Sequence, residues 1–414
     1  MAYVLFLLYA GLLGWMMTRL RFVRAAGFSS AQIISLFAIK ITAGVAIGFI
    51  THRLYPDAND YWNMNREGWI EYQLLLTNPT EFCSNLFTSV YHHYHGFFDS
   101  MGSYWNDLKN NLIIKGVAIC NIFSQGNYYI NSLFFNSFSF LGLIALYRMY
   151  LRYFSGLRWA MVTAVFLLPS TLYFCSGIYK DLIVFSLLGF YLLDADRLIR
   201  DRVSWKTGLR CFVSLLGILL IRNYLVVLLV PLTLAYAISY RYRINEWKCY
   251  AATIGTGLLL SWLLPLIRPG WNPLAILLQK KNDFAALPSA NSQLPMPDWQ
   301  PNLWSMFQQV PSALEHACLR PFLWEGQGIT LLALSIELSV YIIIISISIF
   351  CNPTLKSQEK PSIARMALVF ACLMLLITGL IIPSVGAISR YRSLFLPLIL
   401  APVLARLAMA NGRK

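Results

Sequence analysis

The feature that limits this chain most is a series of long apolar runs. A helix needs about 20 mostly apolar residues to cross a bilayer. Lipid offers no partner for an unpaired backbone N–H or C=O, so such runs fold as helices. Eleven segments fit: 2–18, 30–51, 128–150, 158–175, 179–194, 209–221, 224–240, 249–267, 330–350, 366–383 and 392–409. The sixth is short for a crossing, and with the seventh it predicts a hairpin turning within the membrane around Arg222, Asn223 and Tyr224. Only 12% of the 414 residues are charged, against about 25% in soluble domains. The expected fold class is therefore all-α, a polytopic transmembrane bundle of about 11 helices forming one integral membrane domain over 1–414.

A net charge of +15 in a soluble chain would point to nucleic acid, so its distribution decides the matter. Cytoplasmic loops are enriched in Lys and Arg. With the N-terminus outside, the inner segments carry 20 basic and five acidic residues, whereas the outer segments carry 12 of each. All of the net charge then lies on the cytoplasmic side, the C-terminus is cytoplasmic, and no nucleic-acid partner is implied. The first helix has its arginines after it, at 19, 21 and 24, and lacks a basic leader segment, so it is expected to be retained. The eight cysteines are scattered singly, without a C-x-x-C pair, which argues against a zinc or redox motif.

Two outer segments, 52–127 and 268–329, are too long to be connectors, which in helical bundles run to about 2–8 residues. These are the two long extracytoplasmic loops. The first opens with Tyr55, Pro56, Asp57, Ala58, Asn59, Asp60, Tyr61 and Trp62 and is dense in aromatic residues. Its stretch 111–123 is apolar but short, which suits a re-entrant or interfacial helix. The second has a middle rich in Pro, Ser and Asn, 287–301, expected to be mobile between docked ends.

Asp57 and Asp60 are the candidate catalytic residues. A carboxylate at the outer end of a span acts as general base toward a hydroxyl, or ligates a hard divalent cation together with substrate phosphate. Aromatic neighbours favour a functional role over that of solvated loop acids, since sugar rings stack on aromatic faces and partial desolvation makes a carboxylate a better base; a divalent cation is left open. Lys180, Arg222, Arg320, Arg390 and Arg392 are candidate phosphate-binding residues. Ionisable groups within or beside apolar spans are costly, and the guanidinium fork suits phosphate. The alternatives are ordinary: solvated loop acids, arginines snorkelling to lipid phosphates, and a Lys180–Asp181 pair at a helix start. His92, His93 and His95 lack the spacing of a zinc site, and no metal ligand set is assigned. Lys40 and Glu337 lie inside spans with no partner that the sequence identifies. No G-x-S-x-G, P-loop or dinucleotide fingerprint occurs.

The outer-loop acids, the run from Ser176 to Asp181, the intramembrane Arg222, the stretch Arg320 to Trp324, and Arg390 to Arg392 ahead of a proline-bearing last helix occur in that order. Together they resemble bacterial polytopic enzymes acting on polyprenyl-linked saccharides. Integral-membrane glycosyltransferases of the GT-C class are one match. O-antigen and exopolysaccharide polymerases are the competing one. The first resemblance implies a polyprenyl-phosphate sugar donor and an acid in the first outer loop, which maps onto Asp57 or Asp60. In this chain, however, that loop follows the second helix rather than the first. The second implies arginines that grip a pyrophosphate, mapping onto Arg222, Arg320 and Arg390. Both imply an inner-membrane transferase whose partners are the lipid-linked sugar or glycan and the bilayer. A lipid-linked saccharide transporter is the third expectation, disfavoured by the scarcity of charge within the spans.

Overall fold

The computed structural model describes residues 2–54, 60–88, 104–201, 204–286, 292–325, 328–351 and 362–411. Asp57 and the histidines 92, 93 and 95 lie outside the described residues. The described chain is all-α. Its longer helices are α1 (Ala2–Arg19), α2 (Ser30–Leu54), α3 (Asp60–Thr77), α4 (Tyr104–Ser124), α5 (Tyr128–Leu151), α6 (Arg158–Phe166), α7 (Pro169–Phe174), α8 (Lys180–Arg200), α9 (Trp205–Tyr242), α10 (Glu246–Ile267), α11 (Pro273–Ala285), α12 (Ile329–Phe350), α13 (Ile363–Ile381) and α14 (Val385–Asn411).

Among the described residues eight helices are long and apolar enough to cross a membrane: α1, α2, α5, α9, α10, α12, α13 and α14. The multi-pass membrane class is thereby established. Three differences separate this count from the eleven apolar segments, each with a physical cause. The segment 158–175 is split into α6 and α7, because Pro169 disfavours helical geometry in the residue before it. The segment 179–194 lies within α8, which carries six charged side chains along its 21 residues. The sixth and seventh segments together form α9, a 38-residue helix broken at Arg222, whose φ of −141° and ψ of 74° are not helical.

The chain divides into two compact units. The first comprises Met1–Arg148, Thr171–Asp194 and Trp205–Asn223, and the second Met149–Ser170, Ala195–Ser204 and Tyr224–Lys414. In the first unit α2 and α5 pack closely through glycines: a Cβ on Gly44 would stand 2.1 Å from Asn136 Nδ2, and one on Gly48 2.3 Å from the Tyr128 ring. The α3–α4 pair brings the polar segment that follows α2 onto this base. Asn131 Nδ2 donates to Asn65 Oδ1 at 2.8 Å and to Asn121 Oδ1 at 2.6 Å, and Asn65 Nδ2 donates to Gly126 O at 2.9 Å. The short interfacial helix expected over 111–123 lies within α4.

In the second unit the segment 268–329 is docked over the described part of its middle, 292–301. Leu294 and Trp299 are buried in a cluster with Leu274, Met306, Leu380 and Ile388. Leu294 N donates to Pro383 O at 2.8 Å and Val385 N to Ser292 O at 3.0 Å. The Pro, Ser and Asn content suggested mobility over 287–301. Two large apolar anchors hold 292–301 in place instead.

Candidate functional site

In the first unit the site is built on the break between α7 and α8. Helix α7 ends at Phe174, and the chain crosses Cys175 to Tyr179 before α8 begins at Lys180. Gly177 makes the crossing with φ of +78°, and a Cβ there would meet Tyr128 Oη at 2.9 Å, Ile47 Cγ2 at 3.0 Å and Tyr61 Cδ1 at 3.1 Å. Only glycine suits both the backbone conformation and the space.

The loop presents three consecutive side chains. Tyr179 is buried, and its hydroxyl donates to Asp60 Oδ2 at 2.8 Å. Lys180 is half-buried. Asp181 is fully buried and forms an ion pair with Arg222, itself buried at the break in α9. The first half of α9 runs antiparallel to α8: Arg210 pairs with Asp194 toward one end, and Arg222 with Asp181 at the other. Of the residues singled out in the sequence, Lys180 lies within the stretch 179–181, and Asp60 and Arg222 are each bonded to that stretch, through Tyr179 and Asp181. Asp60 is exposed and begins α3.

Aromatic faces surround the loop, and many are occupied by one another. Trp62 stacks on Tyr128 with centroids 4.4 Å apart at 15°, Tyr61 lies 4.7 Å from Tyr179, and His52 lies 4.6 Å from Trp62. The Trp62 indole donates to Gly48 O at 3.1 Å. These rings build the wall behind Asp60.

Beneath the loop lies Lys40, 2% exposed in α2. Its ammonium donates to Ser176 Oγ at 2.8 Å and to the carbonyl of Cys175. Glu337, the other charge placed within a span by the sequence, belongs to the second unit. It accepts the Ser170 N–H at 2.9 Å and the Tyr341 hydroxyl. The periodicity that marks both as intramembrane says nothing of partners more than a hundred residues away.

The second unit gathers the remaining arginines. Arg320 is held in a fork: Nη2 to Glu315 Oε1 at 2.8 Å and Nη1 to Glu325 Oε1 at 2.6 Å. Arg392 is 4% exposed and is held by neutral acceptors, the carbonyls of Arg320 at 2.8 Å and Ala317 at 3.1 Å and Ser389 Oγ at 3.3 Å. Among the described residues no carboxylate lies within ion-pair distance of it. Arg390 lies two residues earlier, with its guanidinium 5.9 Å from the Tyr391 ring centre. His316 is buried, and burial and the neighbouring Arg320 guanidinium both lower its pKa below the usual imidazole value. A small cleft lined by Ser170, Glu337, Tyr341, Arg392 and Leu396 adjoins this group.

Sequence reasoning did not assign Tyr179, Lys40 or Glu315 to these sites. The run from Ser176 to Asp181 was legible as a motif, but the acceptor of the Tyr179 hydroxyl lies 119 residues away. Among the described residues no group of three or more His, Cys, Asp or Glu side chains comes together. Comparison of the chain with protein-family models, with curated proteins and with solved structures returns no match.

Proposed function

We propose that the protein is a membrane glycosyltransferase that takes sugar from a polyprenyl-phosphate donor on the extracytoplasmic face of the bacterial plasma membrane, in cell-surface polysaccharide or glycoconjugate synthesis. The observation that carries this reading is the meeting of Asp60, Tyr179, Lys180 and the Asp181–Arg222 pair at one loop. An acid and cations around an exposed edge are what a displacement at an anomeric carbon needs. The acceptor oxygen bonds to that carbon as its proton passes to Asp60, and the carbon–oxygen bond to phosphate breaks with its electron pair leaving on the phosphate. Lys180 and Arg222 offset the charge that grows on the leaving group. Phosphate competes with Asp181 for the Arg222 fork, which suits either anion. Asp57, beside Asp60 in sequence, keeps its place as the alternative base.

The outer placement rests on charge and on pairing. The surplus of basic residues lies in the segments assigned to the cytoplasm. Ion pairs agree with that assignment: Arg210–Asp194, Arg152–Asp196 and Arg365–Glu246 join inner residues, while Arg222–Asp181, Lys115–Glu71 and Arg320–Glu325 join outer ones.

The test uses a deletion strain complemented with variants while the lipid-linked saccharide pool is followed with a radiolabelled hexose. Deletion enlarges the pool, and wild type restores it. Asp60→Asn, at normal membrane yield, lowers transfer by a factor of about 10² to 10⁴, the usual contribution of a general base. A pool indifferent to deletion removes the transferase reading, and full complementation by the Asn variant removes Asp60 as base.

One observation favours the second reading, a polymerase or ligase acting on a polyprenyl-pyrophosphate glycan. Arg392 is buried with no carboxylate within ion-pair distance among the described residues, and is bonded to the backbone of Arg320. On that reading these two residues and Arg390 hold the pyrophosphate, and deletion abolishes long glycan ladders rather than a single-sugar modification.

A further inference from the structure

The strongest unassigned feature of the first unit is Lys40. A lysine on an apolar span is costly, and it persists where it has a task. In membrane proteins with interrupted helices, the carbonyls freed at the break are commonly met by a cation, while the N-terminus of the following half-helix faces the ligand. Here the interruption is the crossing from Cys175 to Tyr179 between α7 and α8, and the freed carbonyl is that of Cys175. The cation is supplied by the chain itself, as the ammonium of Lys40. That ammonium also donates to Ser176 Oγ at 2.8 Å, and Ser176 donates onward to Leu172 O at 2.5 Å. Lys40 therefore grips both the end of α7 and the start of the crossing.

The consequence runs along the next five residues. Gly177, in its left-handed conformation, is enclosed by Tyr128, Ile47 and Tyr61, so the crossing has little room to shift. Three residues after the Ser176 anchor the Tyr179 hydroxyl reaches Asp60, and two further on Asp181 reaches Arg222. Lys40 touches neither Asp60 nor Arg222 in any bond described above. Its influence on them passes through the backbone of this short stretch.

We propose that Lys40 is a positioning residue, whose buried ammonium fixes the 175–181 crossing so that Tyr179 meets Asp60 and Asp181 holds Arg222 in one arrangement. The catalytic consequence rests on the transferase reading, but the anchoring does not. Without the ammonium, the Cys175 carbonyl loses its charged partner in an apolar interior, and the crossing gains alternatives. Sites of this kind lose about 10² in rate for a displacement of an ångström.

The test reads geometry and transfer separately in the full-length protein in its membrane. For geometry, Asp60→Cys and Tyr179→Cys are introduced together after the eight native cysteines are replaced by serine, and cross-linking is followed with a bifunctional thiol reagent whose spacer replaces the reach of the lost tyrosine ring, since a direct disulfide needs Cβ atoms about 3.5–4.5 Å apart. The pair cross-links efficiently with Lys40 present. In Lys40→Met, which keeps the length of the side chain without its charge, the cross-linked fraction falls severalfold at normal yield. Lys40→Gln, which restores an N–H donor, recovers part of it, a graded rescue that loss of packing alone would not produce. Should Lys40→Met fail to accumulate, the Lys40→Gln and Lys40→Arg variants decide. For transfer, the same substitutions in the native-cysteine chain lower complementation by about 10² for Met.

A cross-linked fraction that is equal in all Lys40 variants overturns the inference, whatever the activity. Loss of cross-linking in Lys40→Met together with a lipid-linked pool indifferent to gene deletion leaves the anchoring intact and removes the transferase reading. Loss of cross-linking with unchanged transfer bears out the anchoring and overturns its catalytic consequence.

Discussion

Arg222 and Asp181 form a buried ion pair whose worth depends on what is removed. Bringing both charges out of water is expensive, and their attraction roughly offsets that cost, so the intact pair contributes little net stability. Removing one partner leaves the other charge stranded. Asp181→Asn is therefore expected to destabilise the protein by about 3–5 kcal/mol, whereas Asp181→Leu combined with Arg222→Met recovers most of the loss. Thermal unfolding of the purified protein in detergent measures both. A double variant as unstable as the single one would show that the pair does more than neutralise itself. At this scale the sequence singled out Arg222 and Arg320 without their partners. Asp181 stands beside Lys180 in the chain, which invites that pairing, and the structure pairs it with Arg222, 41 positions on. Arg320 was singled out as a cation and is held by Glu315 and Glu325, five residues to either side. Proximity in sequence made the second pairing accessible to inspection and the first not.

Helices are packed here by small residues as much as by large ones. A Cβ on Gly142 in α5 would stand 2.3 Å from the Ser186 Cα of α8, and one on Gly189 would stand 2.4 Å from the Gly142 carbonyl. Backbone meets backbone at this crossing, as in membrane helices that associate through glycine. Gly142→Ala is expected to cost at least about 1–3 kcal/mol, because neither helix can move a side chain aside. Gly11→Ala in α1, where nothing lies within 4 Å, is the control and leaves stability unchanged or slightly raised. Thermal unfolding of the two variants, compared with wild type, measures the difference. Element boundaries were legible where one property dominated. The apolar runs of α1, α2, α5 and α12 are nearly those of the sequence. Where two properties competed, length prevailed too readily: Pro169 signalled the interruption at the end of α6, but the surrounding apolar residues filled a span-sized window. In the second outer segment composition misled in the opposite direction, since Leu294 and Trp299 outweigh the prolines and serines around them.

At the scale of the whole molecule the sidedness of everything after α9 depends on what happens at Arg222. A straight helix of 38 residues would be about 57 Å long, nearly twice the hydrocarbon thickness of a bilayer. Halved at its non-helical residue, α9 becomes two legs of about 26 and 30 Å, each close to one crossing. Each leg is thus long enough for one crossing, and the hairpin at Arg222 expected from the sequence is tested by labelling. Lys206 in the first turn of α9 and Arg243 just past its end are exposed. If the chain reverses at Arg222, single cysteines placed at 206 and 243 in a cysteine-free background are both protected in intact cells from a membrane-impermeant maleimide and both labelled once the cells are opened. The native Cys83, exposed in the first outer segment, serves as the reference that labels in intact cells. Labelling of only one of the two flanking positions would make α9 a single crossing. The second outer segment would then face the cytoplasm, and the arginine group could not serve a site on the outer surface.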